Sequence, residues 1–107
     1  MLSLVIDQVA NELKRRIREI TPISRFVVFG SRARGDASEE SDLDVFIEVP
    51  ELSADLRRKI SEIAWEIGFE EEVVISTFVV TTRSIQTGPM AAHPILKAIQ
   101  TEGILIE

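Results

Sequence analysis

Six residues between positions 30 and 44 have the types and spacing to handle a polyphosphate together with a divalent cation: Gly30, Ser31, Arg32, Arg34, Asp42 and Asp44. Gly30 closes an apolar run and has no Cβ to keep a ligand from the backbone. Ser31 and the amides after it form the first turn of a short helix, whose N–H groups can hold a phosphate. Arg32 and Arg34 add positive charge beside that anion site, although Arg34 could equally pair with Asp36 or Glu39 and fix the loop. Asp42 and Asp44 lie two apart at the mouth of an extended segment, so both carboxylates project from one face. Two such groups repel unless a cation lies between them, and hard oxygen ligands suit Mg²⁺ or Mn²⁺. A phosphate cradle beside a metal clamp is the inventory for phosphoryl or nucleotidyl transfer. The Gly-Lys-Ser/Thr of a P-loop is absent.

The elements that must position these residues are legible on either side. Apolar residues at Val5, Val9, Leu13 and Ile17, widened by Ile6 and Ala10, predict an amphipathic helix over Ser3–Ile20, ending before Pro22. Its Lys14, Arg15, Arg16 and Arg18 read as a solvated face that suits the helix dipole. Arg25–Phe29 and Leu43–Val49 read as strands, the second closed by Pro50. Ser53 should cap a second long helix with a stripe of Leu56, Ile60, Ile63, Ala64 and Ile67, ending at Gly68, with Trp65 packing beside the stripe. An acidic turn at Glu70–Glu72 leads to a third strand, Val73–Val80. Arg83–His93 shows no period and reads as a loop or a poorly ordered helix. Pro94 can open a helix through Gln100, and Ile104–Ile106 reads as a last short strand or tail. The expected fold is α/β (α+β): a small mixed sheet packed with helices, in one domain spanning residues 1–107.

Composition narrows the function. The 107 residues include 12 basic and 18 acidic side chains, a net charge of −6. Seven of the acids lie between Asp36 and Glu51 with no base among them, and the remaining 11 acids nearly balance the 12 bases. The acidity is therefore local, with Glu39, Glu40 and Glu51 reading as a solvated loop. Net charge and the lack of a basic stripe with interleaved aromatics argue against direct nucleic-acid binding. The absence of cysteine excludes disulfides, thiolate zinc sites and a cysteine nucleophile. Residues 1–13 lack a basic leader and no run of 18 apolar residues occurs, so a soluble, cytoplasmic protein without a membrane span is expected. His93 and Arg83 read as surface residues. Apolar termini at Met1-Leu2 and Ile104-Leu105-Ile106 suggest a partner surface or a homodimer.

The pattern Gly30-Ser31, ten residues, Asp42-Leu43-Asp44 resembles the signature of the DNA polymerase beta-like nucleotidyltransferase superfamily. The longer form, Gly-Ser-Arg-Ala-Arg-Gly-Asp with Ser-Asp-Leu-Asp and the ending Thr-Glu-Gly-Ile-Leu-Ile-Glu, is similar to its minimal nucleotidyltransferase (MNT) branch. That resemblance implies that Gly30 and Ser31 hold the β- and γ-phosphates of a nucleoside triphosphate, usually ATP. It implies that Asp42 and Asp44 bind the catalytic metal, Mg²⁺ or Mn²⁺. Many members carry a third carboxylate on a later strand. Here Val74 stands at the matching position, and Glu72, two residues earlier, is the available substitute. The implied activity is Mg²⁺-dependent transfer of AMP from ATP to a hydroxyl, on a tyrosine of a helical HEPN-type toxin that such antitoxin-like proteins neutralise. The alternative is a weakly active or inactive domain of the same fold that neutralises or scaffolds a partner by binding alone.

Overall fold

Four strands carry the site, and their register decides which side chains share a face. A computed structural model describes residues 2–38 and 40–107; Met1 and Glu39 lie outside the described residues, and with them the readings of Met1 as part of an apolar surface and of Glu39 as a loop acid or Arg34 partner. In chain order the elements are α1 (Leu4–Arg18), β1 (Arg25–Phe29), α2 (Ser31–Arg34), β2 (Leu43–Val49), α3 (Ala54–Glu71), β3 (Ile75–Thr81), α4 (Thr82–Thr87), a 3₁₀ turn (Pro89–Ala92), α5 (Pro94–Glu102) and β4 (Ile104–Leu105). The sheet order is β3-β2-β1-β4. β1 runs antiparallel to both β2 and β4, while β2 and β3 are parallel. This is the mixed sheet packed with helices that the sequence predicts. None of the described helices is long and apolar enough to cross a membrane.

Side chains alternate across a strand, so each strand serves two cores. One face presents Phe26, Val28, Leu43, Val45, Ile47 and Val49 to the stripes of α1 and α3, where Leu13, Ile17 and Ile60 are fully buried. The other presents Val27, Phe46 and Val80 to Ile99 of α5, with Phe78, Ile85 and Leu96 around them. Burying each such side chain stabilises the fold by about 1.5–3 kcal/mol. Because both faces of β2 are covered, the run from Leu43 to Val49 is almost continuously apolar. Its exceptions are Asp44 and Glu48; Glu48 is buried on the α5 side, where it accepts from Arg25 Nε at 3.1 Å and Thr82 Oγ1 at 2.7 Å.

Local signals placed most of the helix ends. Ser3 caps α1 by accepting from the Ile6 amide, and Ser53 caps α3 by accepting from Leu56. Three residues of the basic face of α1 are engaged: Arg15 pairs with Glu12 and Glu19, Arg16 with Glu12 and Glu70, and Lys14 donates to the Ile106 carbonyl at 2.6 Å, just after the C-terminal strand.

Five expectations are corrected. α3 does not stop at Gly68 but runs to Glu71, so the supposed acidic turn is helical at Glu70 and Glu71; the left-handed cap is Glu72 at φ 57°. Gly68 is there because the chain folds back over it, with Glu72 and Val73 donating to its carbonyl. The third strand starts at Ile75, two residues late, since the reversal after α3 consumes Val73 and Val74. Trp65 is not packed in the core: it is 69% exposed and stacks on Phe69, 5.5 Å between ring centroids. Residues 83–93 form α4 and the 3₁₀ turn, because Thr81 caps the first by accepting from Ser84 and Pro89 opens the second. The chain end is mostly packed as well: Ile106 is buried, Ile104 and Leu2 rest on the core, and Leu105 alone of these described residues is more than half exposed.

A Cβ at Gly68 would come within 2.5 Å of the Val73 carbonyl oxygen, a backbone atom that cannot step aside cheaply. Alanine in a helix interior ordinarily gains about 1 kcal/mol over glycine. Here Gly68→Ala should instead destabilise by about 1–3 kcal/mol, the usual cost of overpacking. Thermal unfolding checks this; an unchanged or raised Tm would show that the α3–β3 reversal is looser than described.

Candidate active site

Antiparallel pairing of β1 and β2 sets Phe29 opposite Asp44. The next residue, Gly30, adopts φ 77° and ψ −159°, a region essentially closed to residues with a side chain. A Cβ there would collide with Asp44 Oδ2. Gly30 therefore answers two demands at once, a backbone bend and close approach to the aspartate. The bend launches α2, which closes at Gly35 in the left-handed conformation, φ 85°. Its first turn leaves the Ser31 amide without an intrahelical acceptor.

The two arginines of α2 are engaged with the loop and the site. Arg32 donates to the Ser41 carbonyl through Nε (3.2 Å) and Nη2 (2.8 Å), bracing the loop just before the first aspartate. Arg34 donates through Nε to Asp36 at 3.2 Å, the loop-fixing contact anticipated for it, and through Nη1 to Glu102 at 2.8 Å. Both carboxylates hold the Arg34 guanidinium above its ordinary pKa.

Asp44 is half-buried on the sheet face covered by α5, and Asp42 is exposed just before β2 begins. Burial pushes the Asp44 carboxyl above the ordinary aspartate range, the charge of Asp42 pushes it further, Arg34 opposes, and Glu102 adds to the rise. The two aspartates thus lie close enough to feel each other. As hard, mutually repelling oxygen donors they fit a divalent cation that takes its other ligands from phosphate and water. Among the described residues no group of three or more His, Asp or Glu side chains is arranged to hold a metal.

Glu72 does not join the pair. It caps α3 and lines a groove of about 790 Å³ with Trp65, Phe69, Val74, Ile75 and Thr77. Ile75 and Thr77 pair with Leu43 and Val45, on the α1–α3 side of the sheet, opposite Asp44. The neighbour of Asp44 on the parallel strand is Ser76. Val74 is 65% exposed, and its carbonyl accepts from the Leu43 amide. His93 caps α5 by accepting from the Ile95 amide at its Nδ1, with its ring against Phe78, and Arg83 is exposed on α4. The residue that sequence reasoning missed is Glu102. It approaches Gly30 from the far end of the chain, and in the sequence it stood only within the family-like ending Thr101-Glu102-Gly103, with no role attached.

Comparison with known proteins gives the family and the fold. A family described as "Nucleotidyltransferase domain" matches residues 6–91. The "Putative protein adenylyltransferase MJ0141" of Methanocaldococcus jannaschii is 36% identical over 77 residues, 69% of this chain and 78% of that protein. Among solved structures, a toxin–antitoxin crystal structure with AMP-PNP superposes with a TM-score of 0.64 at 20% identity, covering 94% of this chain and 72% of that one. The complex of tri-AMPylated Shewanella oneidensis HEPN toxin with MNT antitoxin gives a TM-score of 0.57 at 19% identity, covering 94% and 71%. At these identities the structures share the fold.

The raised pKa of Asp44 has a sign. The folded state favours its protonated form, so the stability it contributes is full below about pH 4 and is lost as pH rises through the folded value. At neutral pH the ionised carboxylate works against the fold. Asp44→Asn should therefore raise Tm at pH 7 in metal-free buffer, by up to about 4 °C since the site is partly solvated. The gain should shrink to nothing below about pH 4, where both side chains are neutral. A lowered Tm at pH 7 would make this carboxylate a structural one.

Proposed function

The chain belongs to the nucleotidyltransferase domain family, and on that premise we propose that it transfers AMP from ATP to a hydroxyl on a partner protein, a tyrosine of a HEPN-type toxin. The observation that carries this reading is the apposition of Gly30 and Asp44, which sets a backbone with no side chain and the first turn of α2 directly beside a carboxylate. The reading is supported by the adenylyltransferase name of the archaeal relative and by a neighbour of the same fold that stands in complex with an AMPylated HEPN toxin. The sequence contains no tyrosine, so on this reading the acceptor belongs to another molecule.

In this mechanism the Gly30 and Ser31 amides, the Ser31 hydroxyl and the Arg34 guanidinium hold the β- and γ-phosphates, while Arg32 keeps the loop before Asp42 in place. Asp42 and Asp44 would hold Mg²⁺, which when bound supplies neutralisation of the triphosphate. The acceptor oxygen attacks the α-phosphorus in line; its bond to phosphorus forms as the bond to the β-phosphate oxygen breaks, and pyrophosphate leaves with its charge held by the cradle. The hydroxyl proton passes to water. Among the described residues no third acid is placed to hold a metal together with the pair, which favours a second reading, a partner-binding domain with slow or no turnover.

The Asp42→Ala/Asp44→Ala double variant should lose Mg²⁺-dependent ATP binding in calorimetric titration and lose AMP transfer to a co-purified toxin, read as a mass increase of one AMP. It should remain folded. If the variant still neutralises the toxin in cells while wild type adds no AMP, the binding reading replaces the enzymatic one.

A further inference from the structure

Glu102 is the last residue of α5, beyond the stretch that the family match covers. Its position is set by the sheet. β4 pairs antiparallel with β1, with Val28 opposite Ile104; continuing that register two places sets Gly30 opposite Glu102. Gly103 between them admits no side chain, because a Cβ would strike the Ile99 carbonyl and come within 2.5 Å of Val27 Cγ1. The end of α5 is thus pressed onto β1, which holds the backbone of Glu102 beside Gly30 while its side chain stays free to turn. One carboxylate oxygen, Oε2, accepts from the Gly30 amide at 3.0 Å and from Arg34 Nη1 at 2.8 Å.

These two donors are the ones that the proposed mechanism assigns to nucleotide phosphate. A carboxylate oxygen shared between a backbone amide and a guanidinium stands in for a phosphate oxygen. The location is otherwise hostile to negative charge. A helix C-terminus disfavours an anion, and the carboxylate of Asp44 lies against Gly30 as well. Only the cradle donors offset these costs, so a stronger anion can take them.

We propose that Glu102 is a resident counter-anion of the nucleotide site, displaced from the Gly30 amide and Arg34 when a polyphosphate binds and returning as pyrophosphate departs. The inference rests on the nucleotidyltransferase reading above and gives Glu102 a role in setting which anions bind. A monoanion gains little by exchanging with a carboxylate already in place, whereas a polyphosphate brings more charge to the same donors. Glu102 also keeps the cradle closed between turnovers and competes with the leaving group, which favours product release.

Glu102→Gln separates charge from shape, since the glutamine carbonyl can still accept from both donors. Calorimetric titration with Mg²⁺–ATP, and separately with inorganic pyrophosphate, should show Glu102→Gln binding both about five- to tenfold more tightly than wild type, an advantage that shrinks as salt is added. Glu102→Ala should also bind more tightly. In ¹H–¹⁵N spectra the Gly30 amide should move on Glu102→Gln substitution and again on adding pyrophosphate. Weaker binding by both variants would make Glu102 a positioning residue and overturn the proposal, as would unchanged affinity. If wild type and both folded variants bind neither probe, the nucleotide reading itself fails and this inference with it. Binding by Glu102→Gln where wild type shows none would support it most directly.

Discussion

Pairing of Phe29 with Asp44 across β1 and β2 is the constraint from which the site follows. It brings the end of one strand to the start of the next. The residue after Phe29 must then turn the chain aside without a side chain, because the aspartate occupies the space a Cβ would need. Glycine is the answer, and its positive φ throws the following residues into a short helix whose arginines hold the Ser41 carbonyl and the carboxylates of Asp36 and Glu102. The loop between α2 and β2 is held by Arg32 on the Ser41 carbonyl, so the spacing of glycine and aspartates reflects a physical distance around a closed path. The β1–β4 pairing then adds Glu102 to the same spot from the other end of the chain.

The sheet faces divide the labour. Residues of one parity along β2 build the core with α1 and α3; those of the other face α5 and include Asp44. The parity explains why the groove of about 790 Å³ beside α3 is not where the aspartates are. It also explains why Glu72, close in sequence to the expected third acid, lines that groove. An acid sharing the face of Asp44 would have to stand at Ser76 or arrive from α5, and the carboxylate that does arrive is bound to the cradle.

Much of this was legible in the sequence. The signature Gly30-Ser31…Asp42-x-Asp44, the strands around it, and the cap at Ser53 are local signals, set by backbone geometry within a few residues. The misreadings share a different cause. The end of α3 depends on how the chain reverses over Gly68, and the start of β3 depends on that reversal. Glycine looked like a terminator because its usual role is conformational; here it is a contact with Val73, which no local pattern records. Trp65 sits beside an apolar stripe, but α3 is a flank helix at the open edge of the sheet and its outer shoulder meets no layer. Glu102 was invisible because 72 residues separate it from Gly30.

Trp65 has an optical consequence. It is the sole tryptophan of a chain without tyrosine, so nearly all near-ultraviolet absorption and emission arise from one indole lying on Phe69 at the surface. That indole is already in water in the native state, and its emission will change little in colour when the core melts. Intrinsic fluorescence is thus a poor thermometer for this fold and a sensitive gauge of its outer face. Whatever covers the rim of α3 will turn the emission towards the blue while the core stays intact, so occupancy of that face and integrity of the fold can be followed by separate instruments: emission for the first, far-ultraviolet dichroism for the second.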